Sequence, residues 1–366
     1  MKSKPHIAVI GAGIAGLSCA TTLQQADITV SLFDKSRGPG GRMSTRRGVS
    51  RNSGGGANDK YDWQCDHGAP YFTAHHPDFQ AEVSRWCEAG VAALWMPEVN
   101  VLGDAAATCH DLDAPRYVGT PKMTSPAQFL ARAVALKLQT TIQQIESQTD
   151  GWRLQSAEHG WLNDCFDAVI LAIPAPQALP LLLQPAPAWA ALAATAKMRG
   201  CWTLMLQFAT PVALPFDVGC VSHGPLAWIA RDRSKPGREG AESWVLHASA
   251  AWSATHLEDD TATVAALLVQ AFIELGGPAP QTWTAHRWRY AHAEPGLDKV
   301  YVWDGANKIG LCGDWLNAGA AGGSVESAWQ SGRHLAQQVQ QSQQSQQSQQ
   351  SQQSQQSLAA SCGSRP

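Results

Sequence analysis

The sequence predicts an α/β fold: a Rossmann-like first domain and a second domain built on an antiparallel sheet. Three observations predict it. Within residues 6–34 an apolar run, a glycine-spaced turn, a one-sided apolar stretch and a β-rich run ending in an acid follow one another. Between 180 and 290, turns alternate with apolar runs. The 366 residues suffice for about two domains of roughly 150 residues each.

HIAVI at 6–10 suits a buried parallel strand. GAGIAG at 11–16 follows at once, and Ile14, Leu17, Cys19, Ala20 and Leu23 then mark one side of a helix to about Gln25. ITVSLF at 28–33 is the next strand, closed by Asp34. GxGxxG gains meaning from this strand–turn–helix setting. Gly11 permits the tight turn, Gly13 leaves room for a pyrophosphate, and Gly16 lets helix and strand approach. The helix N-terminus, with Ile14 and Ala15 in its first turn, offers free N–H groups and a positive dipole end to phosphates. Asp34, followed by Lys35, is placed to accept hydrogen bonds from a ribose lacking a 2′-phosphate.

Six bases lie between residues 35 and 51: Lys35, Arg37, Arg42, Arg46, Arg47 and Arg51. Such a run fits a nucleic-acid arm, a solvated loop or a phosphate cradle. The formal net charge of -3 argues against a general nucleic-acid binder. Gly40-Gly41-Arg42, six residues beyond Asp34, favours the cradle. Its glycines bring the chain near the dinucleotide, and Arg42, next to Met43, offers a planar fork to the pyrophosphate. Arg46, Arg47 and Arg51 are either further contacts or solvated.

Residues 48–60 are turn-formers, read as a surface insertion. A helix is expected at Phe79–Gly90 and another from Ser125 or Pro126 to about Lys137. Strands are expected over 140–173, halted by Pro174 and Pro176. Further strands follow in CWTLMLQF, LAWIA and SWVLHAS, with a helix near Thr261–Leu275. KIGLCGD at 308–314 is a strand ending in Gly313-Asp314. A glycine-rich turn and a helix over Val325–Val339 come next, and six QQS triplets at 340–357 read as disordered. The expected division is 1–75, 121–178 and 290–339 for the cofactor domain, 76–120 and 179–289 for the substrate domain, and 340–366 for the tail.

Nine scattered cysteines without a CxxC pair read as reduced thiols in a cytoplasmic chain. Twelve histidines, His75–His76 among them, show no metal-ligand spacing. No apolar stretch reaches membrane-spanning length. Lys2, Lys4 and Leu17-Ser18-Cys19 imitate a signal peptide, but the glycine spacing explains that stretch better.

The blocks GAGIAG at 11–16, FDKSRGPGGRMSTRR at 33–47, DHGAPYFT at 66–73, VILAIPAPQ at 169–177, RWRYA at 287–291, and CGDW with GGSVESAWQSG at 312–332 together resemble the renalase-type branch of the FAD-dependent amine-oxidase-like superfamily. The resemblance spans about residues 5–338. It implies non-covalent FAD held between a glutathione-reductase-like FAD domain and a sheet-based substrate domain, as in p-hydroxybenzoate hydroxylase. It implies oxidation of 2- and 6-dihydro-NAD(P) isomers to NAD(P)+, with O2 as acceptor and hydrogen peroxide as product. Asp314 would hold ribitol hydroxyls, and the helix opening at Val325 would face the flavin N1/O2 edge. Ile142 would meet adenine through its backbone. Tyr71, His247 and Trp288 would line the substrate cleft; Tyr71 and Trp288 are otherwise plain walls, and His247 is otherwise a hydrogen-bonded structural histidine. A dihydropyridine needs only to lose hydride, so no obligatory base is expected. Pro70 stands where the family has glutamine, and the 48–60 and 316–322 loops are long. An amine oxidase on the same fold, or a non-enzymatic flavin-binding redox sensor, are the other readings. The expected partners are a small-molecule substrate and O2, with neither nucleic acid nor membrane.

Overall fold

The computed structural model describes residues 4–48, 63–103, 114–295, 297–319 and 322–362. Arg51 and nearly all of the 48–60 stretch lie outside them.

Two six-stranded sheets carry the molecule. In the first, β1 (His6–Ile10) sits between β2 (Thr29–Phe33) and β12 (Ala168–Leu171), all parallel. β8 (Ala135–Lys137) extends the sheet past β2. β19 (Ile309–Leu311) extends it past β12, and antiparallel β18 (Val302–Asp304) ends it. The central strands are continuously apolar because both faces are covered. Ile7 and Val9 pack towards α1 (Ile14–Gln25) and α8 (Val325–Cys362). Ala8 and Ile10 pack on the other face towards Trp152, Phe166, Leu181 and Trp315.

The second sheet runs β17 (Thr282–Ala293), β13 (Met198–Phe208), β16 (Glu242–Ala248), β15 (Leu226–Arg231), β14 (Val218–Val221), β6 (Val99–Leu102). It is antiparallel except for the last pair. Period-two alternation divides its faces. Trp202, Leu204, Leu206, Ile229, Trp244 and Leu246 pack with α7 (Thr261–Glu274). Met205, Ala230 and Val245 join the core that holds Met43 and Cys65, so this face looks towards the first domain.

Smaller elements fill the connections. These are the β3 (Thr45–Gly48)/β4 (Trp63–Asp66) and β5 (Ala92–Trp95)/β7 (Arg116–Gly119) pairs, and a sheet of β9 (Ile142–Gln148), β10 (Gly151–Ser156) and β11 (Gly160–Trp161). The helices are α2 (Pro77–Glu88), α3 (Ser125–Ala131), α4 (Ala175–Leu182), α5 (Pro187–Thr195) and α6 (Ala250–Thr255).

Three sequence expectations need correction. The helix expected to reach Lys137 stops at Ala131, and residues 135–137 become β8. The open edge of β2 requires partners for its backbone groups, and Ala135–Lys137 pair with Ser31–Phe33. The Gln/Ser repeat is helical: α8 runs to Cys362. Glutamine is a good helix former. Ser342, Ser345 and Ser348 donate to carbonyls four residues back, at 2.9–3.0 Å, and Trp303 Nε1 donates to Ser342 Oγ at 3.1 Å. Finally, Cys220 is disulfide-bonded, while Cys19, Cys65, Cys87, Cys165, Cys201 and Cys312 are free thiols. A single bridge leaves no spacing signature in the sequence. Among the described residues no helix is long and apolar enough to cross a membrane.

The start and end of α8 differ in what they bury. Leu335 and Val339 are fully buried. Truncation after Ser345 is therefore expected to leave flavin content and turnover unchanged. Truncation before Leu335 is expected to give a chain that retains no flavin, read from the visible absorption of the purified protein.

Candidate active site

The glycine turn is built as its spacing demands. Gly11 has φ +108°, and a Cβ there would lie 2.5 Å from the Ala172 carbonyl oxygen. A Cβ on Gly16 would lie 1.9 Å from Gly11 O, so the first turn of α1 can close on the end of β1 only with glycine there. At Gly13 a Cβ would meet nothing within 4 Å. Gly13 is the N-cap of α1, with no side-chain cap and no acid in the first turn. Free N–H groups and open space at a helix N-terminus make an anion seat. Gly40 N–H donates to Ala12 O at 2.9 Å, and Gly13 and Gly40 form a parallel bridge. The GGR segment thus lies directly alongside the turn. Ile14 and Ala15 are buried in the helix, and Met43 is buried beneath the loop.

Asp34 accepts from Ala12 N–H at 2.6 Å and from Ser36 N–H at 2.7 Å, which fixes the carboxylate at the tip of β2. Lys35 is exposed beside it. Thr140 N–H donates to Asp34 O, bringing Ile142, the first residue of β9, alongside. This set suits the adenylate half of a dinucleotide.

Arg42 and Asp314 face each other. Nη1 donates to Asp314 Oδ2 at 2.7 Å and to Ala291 O at 3.1 Å, and Nη2 donates to Oδ1 at 2.5 Å. The sequence gives them separate ligand contacts, but the Asp314 side chain is only 5% exposed and takes the guanidinium as its counter-ion. Burial opposes the charged Arg42, yet Asp314 raises its pKa. Gly313 N–H donates to Ser331 Oγ at 2.9 Å, and a Cβ on Gly323 would lie 2.3 Å from Asp314 Oδ2. The end of β19, the GGR loop and the approach to α8 are thereby joined. Val325 opens α8, capped by Ser324 and Ser327, which exchange hydroxyl–backbone bonds. α1 and α8 also cross closely: a Cβ on Gly332 would lie 2.0 Å from Ala15 O. Open space at Gly13 and two neighbouring helix starts fit an FAD.

A cluster of rings lies between the GGR loop and the second sheet. Trp288 stacks on His67 at 5.2 Å and donates from Nε1 to His67 O at 2.9 Å; His286 packs edge-on to both. Tyr71 packs against Trp228 at 5.4 Å and Trp95 at 6.4 Å, with the Arg116 guanidinium 5.3 Å from its ring centre. His247 stands on β16 next to Trp228 on β15. Burial, with the charges of His286 and Arg46, pulls the His67 pKa down to about 3. Burial, with His292 and Lys235, pulls His247 to about 3.

Both imidazoles are therefore neutral in the folded protein, while the unfolded chain takes up protons near pH 6.5. Their contribution to stability is complete above the unfolded value and is lost as pH falls from about 6.5 towards 3. The urea midpoint is expected to drop between about pH 7.5 and 5, and His67→Gln is expected to shrink the drop. A midpoint constant over that interval contradicts the assignment.

Sequence reasoning missed a buried ionic quartet behind His67. Asp66 and Asp232 meet Lys235 and Arg238, all with side chains at most 1% exposed. Lys235 Nζ donates to Asp66 at 3.1 Å and to Asp232 at 3.0 Å; Arg238 and Thr45 donate to Asp66, as does Met123 N–H. Burial pushes the Asp66 carboxyl up, but Lys235 and Arg238 outweigh it and hold it well below the usual range. Burial raises Asp232. Only the KP and GR pairs of SKPGR at 234–238 hinted at this, and charges near a turn normally read as solvated. A surface groove of about 700 Å³ bordered by Lys4, Gln24, Arg85 and Phe129 holds none of these groups.

The comparisons agree with this geometry. A family model described as NAD(P)-binding Rossmann-like domain matches residues 9–88. A stretch of 203 residues, 47% of this chain, is 28% identical to the tRNA 5-methylaminomethyl-2-thiouridine biosynthesis bifunctional protein MnmC of Magnetococcus marinus, of which it covers only 30%. The fold resembles cyclohexylamine oxidase from Brevibacterium oxydans (TM-score 0.68, 12% identity, 93% of this chain and 99% of that one). It also resembles putrescine oxidase bound to putrescine (TM-score 0.63, 13% identity, 92% and 99%). A model described as flavin containing amine oxidoreductase matches residues 91–340, well over half of the chain. The chain belongs to the flavin containing amine oxidoreductase family and is an FAD-dependent oxidoreductase.

Proposed function

We propose that the protein oxidises 2- or 6-dihydro isomers of NAD(P) to NAD(P)+ with dioxygen as acceptor, releasing hydrogen peroxide. The observation that supports this reading best is the charge balance around the ring cluster. Asp66, Asp232 and Asp314 are each paired with internal cations. His67 and His247 are neutral, and the exposed Arg46 acts on His67 and His286 from above. This leaves a neutral pocket with a positive rim. Such a pocket suits an uncharged dihydropyridine trailing phosphates, and gives an ammonium group no counter-ion.

When bound, FAD supplies the hydride acceptor at N5 and the two-electron route to O2. The chain's residues position and shield. Gly11, Gly13, Gly16 and Gly41 admit the cofactor's pyrophosphate to the N–H groups of α1, and Asp34 takes the ribose. Arg42 holds Asp314 in place for the ribitol. Tyr71, Trp228 and Trp288 wall the cleft against water. No side chain has to remove a proton, because loss of hydride alone makes the ring aromatic.

The Tyr71–Trp95–Trp228 aromatic wall also suits a second reading, oxidation of a small neutral amine. Anaerobic mixing of the purified yellow protein with 6-dihydro-NAD, benzylamine or a polyamine separates the two. Rapid bleaching of the flavin by the dihydro isomer alone is expected. Bleaching by an amine and not by either dihydro isomer overturns the proposal.

A further inference from the structure

Two helices start on the ligand side of the first sheet, and they do not start level. α1 follows β1 and α8 follows β19. Both strands run parallel to β12, so the two helices run back along the sheet in the same direction. Gly332, the eighth residue of α8, lies against Ala15, the second of α1. At 1.5 Å per residue, α8 begins roughly 9 Å further out than α1. Leu335 touches Gly310 near the end of β19, so the turns of α8 before it extend past the strand tip. The fittings that suit an adenylate, Asp34 and Ile142, lie on the β2 side of β1. A dinucleotide with its pyrophosphate at Gly13 must therefore extend its other half over β12 and β19, towards the overhanging start of α8.

That start carries an acid, Glu326, in its first turn, whereas α1 carries none in its own. Glu326 is half-buried. Its Oε1 accepts from His76 N–H at 2.6 Å and its Oε2 from His75 N–H at 3.1 Å. His75 and His76 are the last residues before α2 and close the segment that carries Tyr71. Gln80 Nε2 fixes the same corner, donating to Ala74 O and His75 O, each at 3.2 Å. α2 then packs on α8 through Phe79 and Trp329, their ring centres 5.4 Å apart. The carboxylate is thus held in one place. Its partners there are backbone amides, dipoles that fix the group and leave its charge in full. The N-terminus of a helix favours negative charge on whatever faces it. Glu326 opposes that preference from within the same turn.

We propose that Glu326 holds down the electron affinity of the bound flavin. Reduction adds negative charge to the ring system, and a fixed carboxylate in the turn that faces it disfavours the reduced form. At an effective dielectric constant near 20, a unit charge roughly 10 Å away shifts such an equilibrium by about tenfold. The inference rests on FAD occupying the site and on no choice of substrate.

The test equilibrates the FAD-loaded protein with a reference redox dye and reads the ratio of reduced to oxidised flavin from the visible spectrum. Glu326→Gln keeps the shape and an acceptor oxygen and removes the charge. It is expected to shift the ratio about tenfold towards the reduced form, or about 30 mV for a two-electron couple. Glu274→Gln removes an equal charge from the exposed end of α7, behind the second sheet, and is expected to change nothing. If Glu326 serves only to fix the corner at His75 and His76, Glu326→Gln lowers stability and leaves the ratio unmoved. That result overturns the proposal. So does a shift towards the oxidised form, or an equal shift in Glu274→Gln. Should Glu326→Gln retain no flavin, Ser324→Asp decides. It adds a charge to the same turn and preserves the cap that Ser324 Oγ gives Ser327 N–H. It is expected to shift the ratio about tenfold towards the oxidised form, and an unmoved ratio there overturns the proposal.

Discussion

Lys235→Met is expected to destabilise the protein by about 3–5 kcal/mol, the largest effect of any single change considered. The ammonium sits between Asp66 and Asp232 with no exposure, and its removal leaves Arg238 to balance two buried carboxylates. Uncompensated charge in such a place costs more than the pair itself contributes. The measurement is the urea midpoint at constant m-value. Asp232→Asn in the same chain removes the surplus charge and is expected to recover much of the loss. If Lys235→Met alone unfolds at the wild-type midpoint, the quartet is not a structural keystone. Because Asp66 precedes His67, whose carbonyl holds Trp288 Nε1, the single variant is also expected to blunt the quenching of Trp288 fluorescence by bound flavin.

Arg42→Ala is the second. It leaves Asp314, only 5% exposed on its side chain, without its bidentate partner, and frees the GGR loop from β19. FAD retention is expected to fall by about 1.5–3 kcal/mol, roughly ten- to a hundredfold in dissociation constant. Arg42→Lys keeps the charge and loses the fork, and is expected to fall between. Dialysis followed by flavin absorption measures this, and an unchanged dissociation constant removes Arg42 from the site.

The first sheet was legible from local pattern. A continuous apolar strand, three glycines and an acid at the next strand's end each act within a few residues of where they stand, so 6–34 reads directly as β–α–β. The cysteine and tail readings failed for the opposite reason. The bridge at Cys220 carries no spacing motif. The Gln/Ser repeat is polar all round, and its helix continues the packed first half of α8 and is tied at Ser342 to Trp303, neither visible in composition. β8 was missed because the β2 edge that recruits it lies a hundred residues earlier. At the site, His247, Trp288 and Tyr71 came from family likeness. Trp228 and Lys235 escaped because Tyr71 and Asp66, the groups they meet, stand far from them in the chain. The Arg42–Asp314 pair spans 272 positions; each partner was noticed and their meeting was not.

The crossing of the first and last helices sets a timetable for biosynthesis. Ala15 meets Gly332, and the opening strand lies between β2, which follows it directly, and β12, synthesised about halfway along the chain, with β19 added to the sheet near the chain's end. A ribosome-bound chain cannot finish the cofactor's berth until nearly all of it has emerged. Flavin uptake is thus a late, post-translational event, and N-terminal fragments made on their own should come off the column colourless however well their first βαβ unit has folded.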